Sequence, residues 1–175
     1  AMGVANRLTN YLRVSQTPYR VVHHKLTQSA SDSAHAAHLS TASVVKSVLL
    51  RDRENGRYLV ALTPACNRLE LGWVHTREAP HPVLAREAEL GEVFPDCAFG
   101  AVPGFGQAYH LDMVWDENLA DQASLYFESG NHEDLIEIEG HHFHQLFDSF
   151  PHAHISVPYE RYEAYHSEEF RGGLH

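Results

Sequence analysis

The octet Ser43-Val44-Val45-Lys46-Ser47-Val48-Leu49-Leu50 constrains the fold of this chain more than any other segment. Its β-branched content predicts a strand. Side chains alternate along a strand, so Lys46 shares a face with Val44, Val48 and Leu50, while Val45, Ser47 and Leu49 occupy the other. A lysine among valines either carries its ammonium to solvent on an aliphatic stem or aims it at a group that needs a cation. In the first case the strand lies at a sheet edge and the charge deters edge pairing. The chain holds two lysines against eleven arginines, so no lysine-rich surface spills inward here. The strand by itself leaves both readings open.

The 175 residues suit one domain, residues 1–159, with a core that needs no staples and a loosely held tail at 160–175. No stretch has transmembrane length and no charged-then-apolar leader opens the chain, so a cytoplasmic protein without a membrane partner is expected. Cys66 and Cys97 are too few for a disulfide framework and read as reduced thiols, and no Cys-x-x-Cys is present. The net charge of −10 hides an asymmetry. Residues 1–86 carry a net +6, whereas residues 87–160 carry −15 and no lysine or arginine. A polyanion can therefore meet the first half while the second repels it. The overall acidity argues against broad duplex binding, which needs many phosphate contacts, and leaves room for grasping one end of a nucleic acid.

Periodicity predicts a first helix over 4–15, ended by Pro18, and a strand over 19–26. Ser29-Ala30-Ser31-Asp32 has the form of a capping box before a short helix running to His38. After the Lys46 strand, Asp52-Arg53-Glu54-Asn55-Gly56 makes a hairpin turn into a returning strand at 57–63. Residues 68–75 are ambiguous, and 83–90 predict a helix. Further strands are expected near 107–114, at 123–127 and at 134–138, with a last helix from Gly140 to Phe147. Mixed short strands and helices point to an α/β (mixed α+β) single domain.

A second feature is Gly100-Ala101-Val102-Pro103-Gly104-Phe105-Gly106. Three glycines in seven residues let a backbone approach a ligand closely and turn its amides inward. Without a following Lys-Ser/Thr pair it is not a mononucleotide loop. A plain turn between strands is the other reading.

Together, the Val44-Val45-Lys46-Ser47-Val48-Leu49 strand, its hairpin and this glycine loop resemble the YbaK family of aminoacyl-tRNA deacylases, which are related to the inserted editing domain of bacterial prolyl-tRNA synthetases. Glu89-Leu90 through Phe94-Pro95-Asp96-Cys97 is similar to the segment leading into that family's loop. Val114-Trp115-Asp116-Glu117-Asn118-Leu119 and Phe127-Glu128-Ser129-Gly130-Asn131-His132 are similar to its later elements. The resemblance runs in order over roughly residues 10–148. One departure stands out. The family often has proline directly before Phe-Gly; here that position is Gly104 and the proline is Pro103, which predicts a looser loop.

The resemblance implies a mixed, partly barrel-like sheet surrounded by helices. It also implies hydrolysis of the ester joining an amino acid to the terminal ribose of tRNA, in the prolyl-tRNA system by analogy, with no cofactor and no metal. The partner is then the 3′ end of an aminoacyl-tRNA, with a synthetase as a further candidate. Lys46, Gly100 and Ala101 are the implied catalytic residues, the first as a point charge that either anchors a phosphate or the terminal ribose or stabilises the oxyanion, and the others as backbone donors to that oxyanion. Val102, Pro103, Gly104, Phe105 and Gly106 would line the substrate pocket, with Ser129, Gly130, Asn131 and His132 joining from the later turn. Tyr19 is placed with them as a platform for adenine, a role it shares in the sequence with Tyr58; both fit equally well as strand aromatics. Asp116 is better read as a cap. The same pocket would serve a non-catalytic module that binds the tRNA end and assists a synthetase.

Fifteen histidines raise a third reading, a metal-dependent hydrolase. On a helix His141 and His144 are neighbours and His142 is turned away, which is a poor zinc set. His23 and His24 fall on opposite strand faces, and His35 and His38 read as helix surface.

Overall fold

Leu8 and Leu12, one turn apart, form the buried stripe of α1 (Asn6–Val14) in the computed structural model, which describes residues 3–160. Most of the expected tail, from 161 onward, lies outside the described residues. β1 (Arg20–His23) follows, then α2 (Ala30–Ala36), where the Ser29 side chain accepts the Asp32 backbone N–H. β2 (Val44–Asp52) carries Lys46 and ends in a turn where the Asp52 carboxylate accepts the N–H groups of Glu54 and Asn55 and Gly56 adopts φ 75°. β3 (Tyr58–Pro64) returns beside it, and β4 (Asn67–Leu69) and β5 (Pro82–Leu84) are short. After α3 (Glu87–Val93) come β6 (Asp112–Asp116), β7 (Ser124–Glu128), β8 (Asp134–Glu139), α4 (Gly140–Phe147), β9 (His152–Ala153) and β10 (Ser156–Pro158).

The strands form a mixed sheet in the order β1-β8-β7-β2-β3-β6-β9, with β5 also on β2 and a separate β4–β10 pair. β2–β7, β3–β6 and β6–β9 run parallel and the remaining pairs antiparallel. The class is the mixed α/β single domain expected. β2 lies between β7 and β3, however, so Lys46 is not an edge guard. Central strands need no charge to deter pairing.

β2 is paired unequally. On one side β3 covers seven residues, from Val45 to Arg51. On the other, β7 pairs only Val44 and Val45, and β5 pairs only Leu50, Arg51 and Asp52. Between these two contacts the sheet is open. The face holding Val45 and Leu49 packs on Phe105, Phe127, Phe143 and Phe147, the main core. The opposite face packs Leu50 with Leu59, Ala61 and Ile155.

The helix expected over 83–90 divides differently. Residues 82–84 pair with β2, and the helix begins only at Glu87. Glu89 sets that start, because its carboxylate accepts the Arg86 backbone N–H at 2.7 Å. The buried carboxylate also accepts from Arg51 at 2.6 Å and from the Tyr58 hydroxyl at 3.0 Å. These bonds, the Arg86 N–H foremost, hold Glu89 below the usual carboxylate range. A depressed folded pKa contributes stability above the unfolded value of about 4.3, and that contribution is lost as pH falls through the folded pKa. Glu89→Gln should therefore be less stable than wild type at pH 7 and converge with it as pH falls through the folded pKa, as read by denaturant unfolding across pH.

Candidate functional site

The backbone of β2 explains why a pocket forms. Along a strand, alternate residues present N–H and C=O to the same side. The Ser43 carbonyl accepts from Tyr126 at 3.0 Å and the Leu49 carbonyl from Ala85 at 3.1 Å, so residues 43, 45, 47 and 49 face the β7/β5 side. Ser47 is the member of that series in the unpaired gap. A cavity of about 250 Å³ opens there. Its walls are residues 44–48 of β2; Gln28, Ser29, Ala30 and Ser33 around the start of α2; Gly100, Ala101 and Val102; and Glu128, His132 and Leu135 from the β7–β8 region.

Lys46 is half-buried at this cavity. Its Nζ donates to the Asn67 carbonyl at 2.6 Å and to the Tyr159 hydroxyl at 3.2 Å, and lies 4.9 Å from the Tyr159 ring centroid. Among the described residues no carboxylate forms an ion pair with it. An ammonium has three N–H bonds, and these contacts use two of them.

The glycine loop divides at Val102. Gly100, with φ 75°, and Ala101 and Val102 line the cavity. The remainder turns into the core: Phe105 is fully buried, 4.5 Å from the Phe127 ring centroid and 5.6 Å from that of Phe147. Gly104 is packed so tightly that a Cβ there would overlap the Phe127 ring, and one on Gly106 would press on Met113. Pro103, Gly104, Phe105 and Gly106 therefore anchor the loop, and none of them lines the cavity. The looseness expected from glycine at 104 is offset by this packing; only a residue without Cβ allows the close approach. The backbone donor expected at Ala101 is also engaged, since its N–H donates to the Ala98 carbonyl at 3.0 Å.

The β7–β8 turn holds the loop in place. Oε1 of Glu128 accepts the backbone N–H groups of Gly130 at 2.8 Å and of Asn131 and His132 at 3.0 Å. Gly130 adopts φ 112° beside Cys97 and Ala5. Its carbonyl accepts from Ala98, and His132 Nε2 donates to the Phe99 carbonyl at 2.6 Å. Ser129 and Asn131 are buried within the turn, Asn131 Oδ1 accepting from Glu133 and Asp134. Of the four turn residues expected at the site, His132 alone lines the cavity. Tyr19 lies in a separate groove with Thr9, Arg13 and Gln16. The Tyr58 hydroxyl donates to Glu89. Asp116 caps the next turn, as expected, through Asn118 N–H.

Ser47 and Glu128 are among the cavity residues that the sequence did not mark as part of a site. Ser47 sits on the face opposite Lys46, and only the gap lets both reach one space. Its buried Oγ has no hydrogen-bond partner. No serine of the cavity is bonded to a histidine: Ser29 Oγ accepts from Asp32, and Ser33 pairs with Thr27 at 2.6 Å. Neither cysteine lines the cavity, and burial pushes the Cys97 thiol up to about 12, which removes its nucleophilicity at neutral pH.

The histidine-rich helix differs from expectation. His141 and His142 do not diverge: their ring centroids are 3.9 Å apart. Both sit at the first turn of α4, where no preceding turn holds them to separate faces. With Glu139 they place three donor atoms within 4.8 Å of one another, a set able to hold a metal ion, but it lies outside the cavity and His141 is already paired with Glu139 at 3.4 Å. His144 bonds Asp148 and the Ala120 carbonyl instead.

If Glu128 holds the turn, Glu128→Ala leaves three backbone donors without their acceptor. Such a loss should cost about 3 kcal/mol in denaturant unfolding and should raise amide exchange at residues 130–132 first.

Residues 24–146 match the family model described as the aminoacyl-tRNA editing domain. A solved hypothetical protein superposes with a TM-score of 0.75 at 18% identity, over 87% of this chain and 100% of its own. A candidate trans-editing enzyme for prolyl-tRNA synthetase gives 0.72 at 22% identity, over 86% and 95%. A candidate signal transduction protein from Marinobacter aquaeolei VT8 gives 0.68 at 15% identity, over 89% of this chain and 31% of the longer one. No curated protein matches by sequence.

Proposed function

The chain belongs to the aminoacyl-tRNA editing domain family, and on that premise we propose that it hydrolyses the aminoacyl ester of mischarged tRNA in the cavity beside Lys46. The observation that carries the reading is an ammonium with no carboxylate partner among the described residues, half-buried at a small cavity. An aminoacyl ester is already activated, so the protein need only place water against the carbonyl and stabilise the oxyanion that forms. Lys46 supplies the charge through its remaining N–H. The 3′ end enters between the start of α2 and the 100–102 segment, and the aminoacyl group fills the gap in the sheet, against Ser47, Val45 and Leu135. Water is the nucleophile in this scheme, in keeping with the absence of any serine–histidine pair or low-pKa thiol at the cavity.

The volume of about 250 Å³ suits a small aminoacyl group and leaves the adenosine at the mouth. The likeness to a candidate trans-editing enzyme for prolyl-tRNA synthetase makes tRNA-Pro carrying a small wrong amino acid the first substrate to test. The second reading, a non-catalytic module that binds the tRNA end for a synthetase, shares the cavity and differs only in turnover.

A deacylation screen over tRNAs charged with each small or non-cognate amino acid decides between the two. Release of amino acid from at least one is expected; binding to the 3′ end with no release from any would establish the binding module. Lys46→Ala should lower the rate by about 10²–10³-fold, the usual effect of removing one oxyanion-stabilising group. Its unfolding midpoint should stay near that of wild type. Wild-type hydrolysis by that variant would remove Lys46 from the mechanism. Chelation should leave the rate unchanged, since the Glu139–His141–His142 set lies outside the cavity.

A further inference from the structure

Tyr159 lies outside the segment that matches the family, yet it touches the residue on which the proposed reaction depends. It directly follows β10, whose Pro158 pairs with Asn67 of β4, and its own N–H donates to the Cys66 carbonyl at 3.2 Å. These backbone bonds fix where the side chain starts. The hydroxyl then receives a hydrogen bond from Lys46 Nζ at 3.2 Å, while the ring centroid lies 4.9 Å from the same nitrogen, within the range of a cation–π contact. The Asn67 carbonyl, on the strand paired to β10, takes a second ammonium N–H at 2.6 Å.

A flexible four-carbon stem sweeps its ammonium through many positions unless something holds it. Here the holders are one carbonyl of β4 and the side chain of the residue just after β10. We propose that Tyr159 is the positioning residue for Lys46: it sets the ammonium at the cavity with one N–H free. The consequence for turnover rests on the proposed deacylation; the placement of Lys46 does not. Because Tyr159 is 40% exposed, replacing it leaves the core intact.

The chain's two lysines make a test that is independent of activity. Trace acylation with acetic anhydride, quantified by peptide mass, reads the reactivity of Lys46 against the exposed Lys25 as internal reference. Tyr159→Ala should change the Lys46-to-Lys25 ratio at least threefold. Tyr159→Phe, which keeps the ring, should change it less. On a susceptible aminoacyl-tRNA, kcat should fall tenfold or more in Tyr159→Ala and be largely restored in Tyr159→Phe, with KM within twofold in both. An unchanged labelling ratio in Tyr159→Ala overturns the proposal, whatever happens to kcat. A changed ratio with wild-type kcat overturns its catalytic consequence. If wild type releases no amino acid from any tRNA, the deacylase reading fails by itself, and the labelling ratio still decides whether Tyr159 holds Lys46.

Discussion

The incomplete pairing of β2 is the constraint from which the site follows. A central strand ordinarily has both rows of backbone groups satisfied by neighbours. β2 meets this on the β3 side over seven residues, but on the other side only at its two ends. The gap breaks the separation of the two faces. Lys46 belongs to one face and Ser47 to the other, and only where no neighbouring strand intervenes can both border the same cavity. The glycine loop and the start of α2 cover the opening rather than completing the sheet.

A buried polar chain ties the end of the described fold to that opening. Oδ2 of Asp116, fully buried, accepts the Ile155 N–H at 3.0 Å and the Ser156 hydroxyl at 2.7 Å. The Ser156 oxygen accepts from Asn67 Nδ2 at 3.0 Å, and the Asn67 carbonyl accepts from Lys46. Each link is short and each buried member has a partner, the condition under which a polar network fixes a geometry instead of destabilising the core. The network therefore couples β6, β10 and β4 to the position of one ammonium. Two of its members, Ile155 and Ser156, fall after the segment that matches the family model, residues 24–146.

What the sequence disclosed and what it concealed divide along physical lines. The face of Lys46, the Asp52–Gly56 turn, the Ser29 cap and the start of α4 at Gly140 are local patterns, and they are seen where expected. β4, β9 and β10 are two or three residues long and exist only through pairing with distant strands, so no periodicity announces them. That is why Tyr159 carried no signal. The glycine loop was half legible. Its composition marks a close approach of backbone, but not whether the approach is to a ligand or to a core; Gly104 and Gly106 approach Phe127 and Met113, and Gly100 alone of the three borders the cavity. Glu128 was hidden for a similar reason. A strand-end glutamate looks like surface, and its role appears only when the turn beyond it folds three N–H groups back onto one oxygen.

The charge division of the sequence gains a local meaning at this site. The basic half contributes Lys46 and the half without lysine or arginine contributes Glu128, and both border one cavity. Opposite charges in so small a space would ordinarily be expected to pair, which would leave no cation for an incoming anion or oxyanion. They do not pair here. The Glu128 oxygen is committed to three backbone donors, and the Lys46 ammonium is drawn toward neutral oxygens, a carbonyl and a phenol. Neutral acceptors orient an ammonium without cancelling its charge, whereas a carboxylate would do both. Lys46, bonded to Asn67 and Tyr159, and Glu128, bonded to its own turn, thus border one cavity without pairing, in a chain whose net charge is strongly negative.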